Sequence, residues 1–141
     1  MAKSKKKAVW AWVKTPQKTP ASALDKTVIE ASFQDLLETL RLRHCKAETA
    51  ENDASLGFYA IEVYFKWHQR FLYICYNQRD AREGVIAPYW EYRIARIQCM
   101  SNTTFNLAYF RHTGKWEPIH EGFKIEDTKK AILHDPWFDI M

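Results

Sequence analysis

Glycine is scarce here, with four residues in 141, so there is no Gly-rich loop to cradle a phosphate and no Gly-x-Ser-x-Gly elbow to expose a nucleophile. Cysteine is scarce too. Cys45, Cys75 and Cys99 form an odd set without a Cys-x-x-Cys pair, which argues against a disulfide framework and against a thiolate zinc site. Cys75 and Cys99 lie inside apolar runs and read as small buried hydrophobes in a reducing cytoplasm. No apolar run approaches the ~18 residues that cross a bilayer. Lys14 and Lys18 interrupt the one apolar stretch behind the first lysines, so no signal peptide is expected. The histidines do not have local metal-binding spacing either: His112 and His120 are too far apart, and His44-Cys45 and His134-Asp135 are bare neighbours. Neither a metal nor a cofactor is expected.

Aromatics, by contrast, are plentiful at 15%, six of them Trp. The chain has the length of one domain, with enough apolar residues for a core. Its net charge of +4 is unevenly spread. Residues 1–20 hold six lysines (Lys3, Lys5, Lys6, Lys7, Lys14 and Lys18) and no acid. The rest of the chain is slightly acidic, yet residues 56–116 carry eight basic and four acidic groups between two acidic flanks. Such a pattern suggests either a polyanionic partner or acidic ends that sit against the basic middle.

Residues 1–20 read as a basic, Trp-containing arm or linker. Pro16 and Pro20 bias it towards extended conformations, and fully extended it would reach about 66 Å. Residues 21–141 read as a single α+β domain. Ser22 and Asp25 mark a helix start, and Ile29, Phe33, Leu36, Leu37 and Leu40 make one stripe at helical period, predicting a helix over 22–45. After a polar loop, Phe58–Trp67 alternates, with Tyr59, Ile61, Val63, Phe65 and Trp67 on one face and Phe58, Ala60, Glu62, Tyr64 and Lys66 on the other. A tight turn at 67–70 leads into a strand over Phe71–Tyr76, and Asn77–Gly84 reads as a loop. Tyr89–Met100 reads as a long strand whose apolar set changes phase between Ile94 and Ile97, the mark of a bulge. Phe105–Arg111 follows, with Phe105, Leu107 and Tyr109 on one face, and a turn at Thr113-Gly114. Asp127 or Thr128 should cap a short last helix that Asp135-Pro136 ends. Short turns dictate antiparallel pairing, so the expected fold is one antiparallel sheet of four to five strands, a long N-terminal helix and a short C-terminal one.

The run Phe105–Trp116, with its Leu-x-Tyr-x-Arg strand leading into Lys115-Trp116, the later Asp135-Pro136-Trp137-Phe138, and Arg93–Ile97 in the preceding strand carry a resemblance. Over about residues 56–140 the chain resembles a bacterial family catalogued as a domain of unknown function. The resemblance leaves residues 1–20 as an addition and implies no activity.

Four groups of residues are candidates for function. Arg111, His112, Lys115 and Trp116 gather around one turn, where Gly114 supplies a positive φ; two cations there suit a phosphate or carboxylate, and His112 suits proton transfer. The same residues also read as a plain hairpin turn. Glu62 and Glu91 are the pair of acids a hydrolytic site would need, but their setting is poor. Tyr64, Tyr73, Trp90 and Tyr92, interleaved with Lys66, Arg70, Arg93 and Arg96, read either as a stacking platform for single-stranded nucleic acid or as core with a charged rim. In the arm, Lys3, Lys5, Lys6, Lys7 and Lys14 accompany Trp10 and Trp12, residues that anchor on bases or on protein, or add a strand to a sheet edge. The expected role is a small non-catalytic binding module, an accessory subunit of a nucleic-acid-containing complex such as a ribosome-associated one, with Arg93, Arg96 and Arg111 as second contacts. The alternatives are a protein–protein adaptor that docks through its arm and an enzyme at the His112 turn.

Overall fold

A computed structural model describes residues 24–49, 57–82, 84, 86–111 and 113–139. The arm therefore lies outside the described residues, and so does His112. The chain order is α1 (Lys26–His44), β1 (Phe58–His68), β2 (Phe71–Asp80), β3 (Tyr89–Cys99), β4 (Phe105–Phe110), β5 (Trp116–Phe123), α2 (Ile125–His134) and a 3-10 turn (Pro136–Phe138). The five strands form one antiparallel sheet in sequence order, an α+β fold. Among the described residues no helix is long and apolar enough to cross a membrane.

Helix α1 starts later than expected. Asp25, rather than Ser22, caps it, accepting a hydrogen bond from the Val28 amide (3.1 Å). The Asp25 amide donates to the Asn102 side chain (2.9 Å), pinning the helix start to the β3–β4 turn. The apolar stripe then does what its period implies: Ile29, Phe33, Leu36 and Leu40 are buried, and Leu37 packs beside them. The Phe33 ring meets Phe105 edge-on at 5.2 Å. Helix α2 lies on the same side of the sheet. The Arg43 guanidinium donates to the Leu133 carbonyl (2.9 Å), and Lys129 reaches Asp35 (3.0 Å). Asp127 does not cap α2 from outside; the helix begins two residues earlier, and the Asp127 carboxylate takes the Lys124 amide from within its first turn.

Two strands depart from simple alternation. The β1–β2 register shifts between Ala60 and Glu62, so Ala60, rather than Ile61, joins Val63 in the core. On β3, Ile74 faces Ala95 and Cys75 faces Arg93, leaving Ile94 as the extra residue of the expected bulge. Strand β2 also runs through the first half of the stretch read as a loop. Gln78 and Asp80 are buried there, and Arg82 holds the Asp80 carboxylate (2.6 Å), so polar composition concealed four more paired residues. At the two-residue β1–β2 turn Gln69 takes a positive φ of 54°, and Gly114 does so at the β4–β5 turn, as expected.

Candidate nucleic-acid interface

Both helices cover one face of the sheet. The opposite face is bare of described elements, and the register fixes which side chains it carries. Lys66 pairs with Tyr73, Tyr73 with Arg96, Arg96 with Ala108 and Ala108 with Pro118; Tyr64 pairs with Cys75 and Cys75 with Arg93. Residues directly opposite one another share a face. Lys66, Tyr64, Tyr73, Arg93 and Arg96 therefore lie together on the open face. Trp90 and Tyr92 do not. Tyr92 packs against the core and Trp90 follows it by alternation, so the structure divides the expected platform between the two faces. Arg70 is drawn to the β1–β2 turn, where it donates to the Cys99 carbonyl (3.1 Å).

Cations and rings interleave on the open face. The Arg93 guanidinium lies 4.8 Å from the Tyr73 ring centre. Arg96 sits between two rings, 4.8 Å from Phe71 and 5.4 Å from Trp116. Tyr73 and Trp116 are 5.5 Å apart, and Phe110 meets Trp116 at 5.1 Å. These separations are within the range of favourable cation–π and aromatic contacts. Phe71, Phe110 and Trp116 were missing from the sequence-based platform. One signal was available: if Phe105, Leu107 and Tyr109 face the core, Phe110 faces away, and its hairpin neighbour Trp116 goes with it.

The charges are not equivalent. Glu91 accepts from the Tyr64 hydroxyl (2.6 Å), from Arg93 (2.9 Å) and from Lys66 (3.2 Å). The Tyr64 hydrogen bond above all, with the two cations, holds its carboxyl down at about 2. Glu91 is thus a fixed anion that neutralises part of Lys66 and Arg93. Arg96 has no carboxylate in ion-pair reach among the described residues. Its charge rests on ring faces, beside a hollow of about 110 Å³ also lined by Gln98, Asn106, Pro118 and the carboxylate-bearing Glu121, which makes no ion pair with it.

The remaining expected residues fall elsewhere. Arg111 bonds Glu117 (2.8 Å), and Glu117 faces Tyr109, so Arg111 turns towards the helix side of the hairpin end. Lys115 lies in the same turn, where its carbonyl accepts from the Arg111 amide (2.8 Å). Lys3, Lys5, Lys6, Lys7, Trp10, Trp12 and Lys14 are outside the described residues. Glu62, the second acid of the hydrolytic pair, takes a hydrogen bond from Asn77 (3.2 Å).

A separate cluster appears at the helix-side edge. The His120 Nε2 is 2.9 Å from Asp135 and the ring stacks on Phe123 at 4.4 Å. A shallow groove of about 350 Å³ adds Asp127, Lys130 and His134. No cysteine lines it, and burial pushes the thiols of Cys45, Cys75 and Cys99 up to about 11, 12 and 12, so they stay protonated near neutral pH. Among the described residues no three His, Cys, Asp or Glu side chains are grouped to hold a metal.

The family described as "Domain of unknown function (DUF3024)" matches residues 11–136, and the chain belongs to it. The match reaches further forward than the sequence resemblance did, taking in Trp12 and Lys14 but leaving Lys3, Lys5, Lys6, Lys7 and Trp10 outside. No curated protein and no solved structure matches the chain.

Proposed function

We propose that this protein is a small non-catalytic binding module of the cytoplasm that engages single-stranded nucleic acid through the open face of its sheet, as an accessory subunit of a nucleoprotein complex. The observation that carries this reading is Arg96, a cation with no ion-paired carboxylate among the described residues, set between Phe71 and Trp116. Ring faces and guanidinium planes stack on bases of any sequence, and an unpaired arginine meets a phosphate. The six lysines of residues 1–20 add positive charge in sequence, which suits a backbone-tracking contact, whereas Arg111 is engaged by Glu117 on the helix side. Thiols protonated and Glu91 ionised near neutral pH offer little to a nucleophilic or acid-catalysed reaction there.

The test is binding of fluorescent single-stranded and duplex RNA and DNA by the full chain across a salt series. The chain is compared with an Arg93→Gln/Arg96→Gln variant and with one in which the six arm lysines become Gln. For single strands each lost phosphate contact flattens the log–log salt slope by about 0.7. The arginine pair should therefore remove about 1.4 and the arm lysines about 4. Binding that neither variant changes would sink the proposal, as would no binding by the full chain.

A further inference from the structure

The two edges of the sheet are built differently. Strand β5 has Pro118, which lacks an amide donor, together with Gly122 and two register irregularities. Such an edge resists pairing with another strand. Strand β1 is longer and has neither Pro nor Gly. Its beginning is closed off, since Cys45 bridges to Ala60 and the Lys46 amide donates to the Ala60 carbonyl (2.9 Å). From Ile61 to His68 no described residue pairs with its outer side. An open edge of that length templates another strand.

We propose that this edge pairs with the same edge of a second copy, antiparallel, about a two-fold axis through Tyr64. In an isologous contact each residue meets its counterpart's partner reciprocally. An axis perpendicular to the sheet keeps opposed residues on the same face, so it must pass through a residue and not between two. With the axis at Tyr64, Glu62 faces the partner's Lys66 and Lys66 faces the partner's Glu62. Val63 and Phe65 then oppose each other on the helix side. An axis at Val63 would set Glu62 against Tyr64, and one at Phe65 would set Glu62 against His68. Of these three central registers, the Tyr64 axis alone brings the opposite charges together. Glu62 and Lys66 are both exposed, and each is held on the open face from its inner side, by Asn77 and by Glu91 respectively. The strand Glu62-Val63-Tyr64-Phe65-Lys66 is thus complementary to itself in charge and in apolar content. The product is a continuous ten-stranded sheet with both open faces on one side and both α1 helices on the other. This contact stands whether or not that face binds nucleic acid.

Sedimentation equilibrium of the full chain tests it, with thermal melts to establish that each variant folds. The full chain should dimerise. Glu62→Lys and Lys66→Glu each convert two opposite-charge cross-strand pairs into like-charge pairs, and should weaken the dimer by roughly tenfold or more. Mixing the two variants should restore it, because every mixed pair sets opposite charges face to face again; the double swap should do the same within one chain. Lys66→Glu also disturbs the contact with Glu91, so Glu62→Lys and the milder Glu62→Gln carry the test if that variant does not fold. A monomeric full chain overturns the proposal. A dimer indifferent to these charges, or one that the mixture fails to restore, overturns it as well.

Discussion

Both faces of this sheet carry rings but use them differently. On the helix side Phe33, Phe105, Leu72, Ile97 and Leu107 are fully buried, and stability comes from removing their surface from water. On the open side no described helix lies above Phe71, Tyr73, Phe110 and Trp116; Arg93 lies across the Tyr73 ring and Arg96 across those of Phe71 and Trp116. Tyr73 is only 8% exposed even so, with the Arg93 guanidinium and the Phe71 and Trp116 rings against it. Arginine screens apolar rings while keeping its own charge in water. The open face is therefore not an unfinished core. It is a surface on which arginines cover part of the rings while Phe110 stays 41% exposed.

Substitutions on each face should separate these two uses. Phe33→Ala empties a buried ring position against Phe105 and should cost about 3–5 kcal/mol, read as a lower urea midpoint. Trp116→Ala removes ring contacts with Tyr73 and Phe110 and should cost roughly 1–2 kcal/mol of stability. If the open face binds bases, the same change weakens single-strand binding by about 1–3 kcal/mol for each stacked base lost. A loss in Trp116→Ala as large as that in Phe33→Ala would erase the distinction between the faces.

Glu91→Gln sharpens it through pH. The folded carboxyl is held at about 2, below its ordinary 4.5, so its contribution is complete above about 4.5 and disappears as pH falls towards 2. At neutral pH the variant should be less stable by on the order of 1 kcal/mol, and its urea midpoint should converge on the wild type's in acid. A gap unchanged between pH 7 and pH 2.5 would mean that the Tyr64, Lys66 and Arg93 contacts do not set this carboxylate. The smallest stability effect belongs to Arg96→Gln. Losing its cation–π contacts with Phe71 and Trp116 should cost about 0.5–1 kcal/mol, while about 0.7 is removed from the single-strand salt slope.

Much of the helix-covered face was legible in the residues. The period of Ile29, Phe33, Leu36 and Leu40 identified the buried side of α1, and the phase change between Ile94 and Ile97 pointed to a bulge that the register puts at Ile94. Both are local patterns with a known repeat. The errors arose where long-range pairing overrode composition. Asn77–Asp80 looked like a loop because it is polar, yet β1 and β3 supply its ladder and Arg82 supplies a partner for the buried Asp80. Ala60 and Ile61 exchanged roles because a register shift cannot be read from one strand alone. The candidate site was half legible: Lys66, Tyr73, Arg93 and Arg96 were singled out together, but so were Trp90 and Tyr92, which face the other way. Alternation divides a strand's residues into two sets, and it does not say which set a helix will cover.

By itself, then, the sequence determined the order of elements, the antiparallel class, the apolar stripe of α1 and the concentration of lysine at the start of the chain. These follow from short-range rules: helical period, strand alternation, turn chemistry and the placement of charge. Tertiary structure alone decided which face the described helices leave uncovered, that Arg96 would rest between Phe71 and Trp116 with no described carboxylate in ion-pair reach, and that no described strand would pair with the outer side of β1 over Ile61–His68. Each of those depends on where α1 and α2 pack and on how neighbouring strands register. Both are set by contacts between residues distant in the chain, which no local pattern encodes.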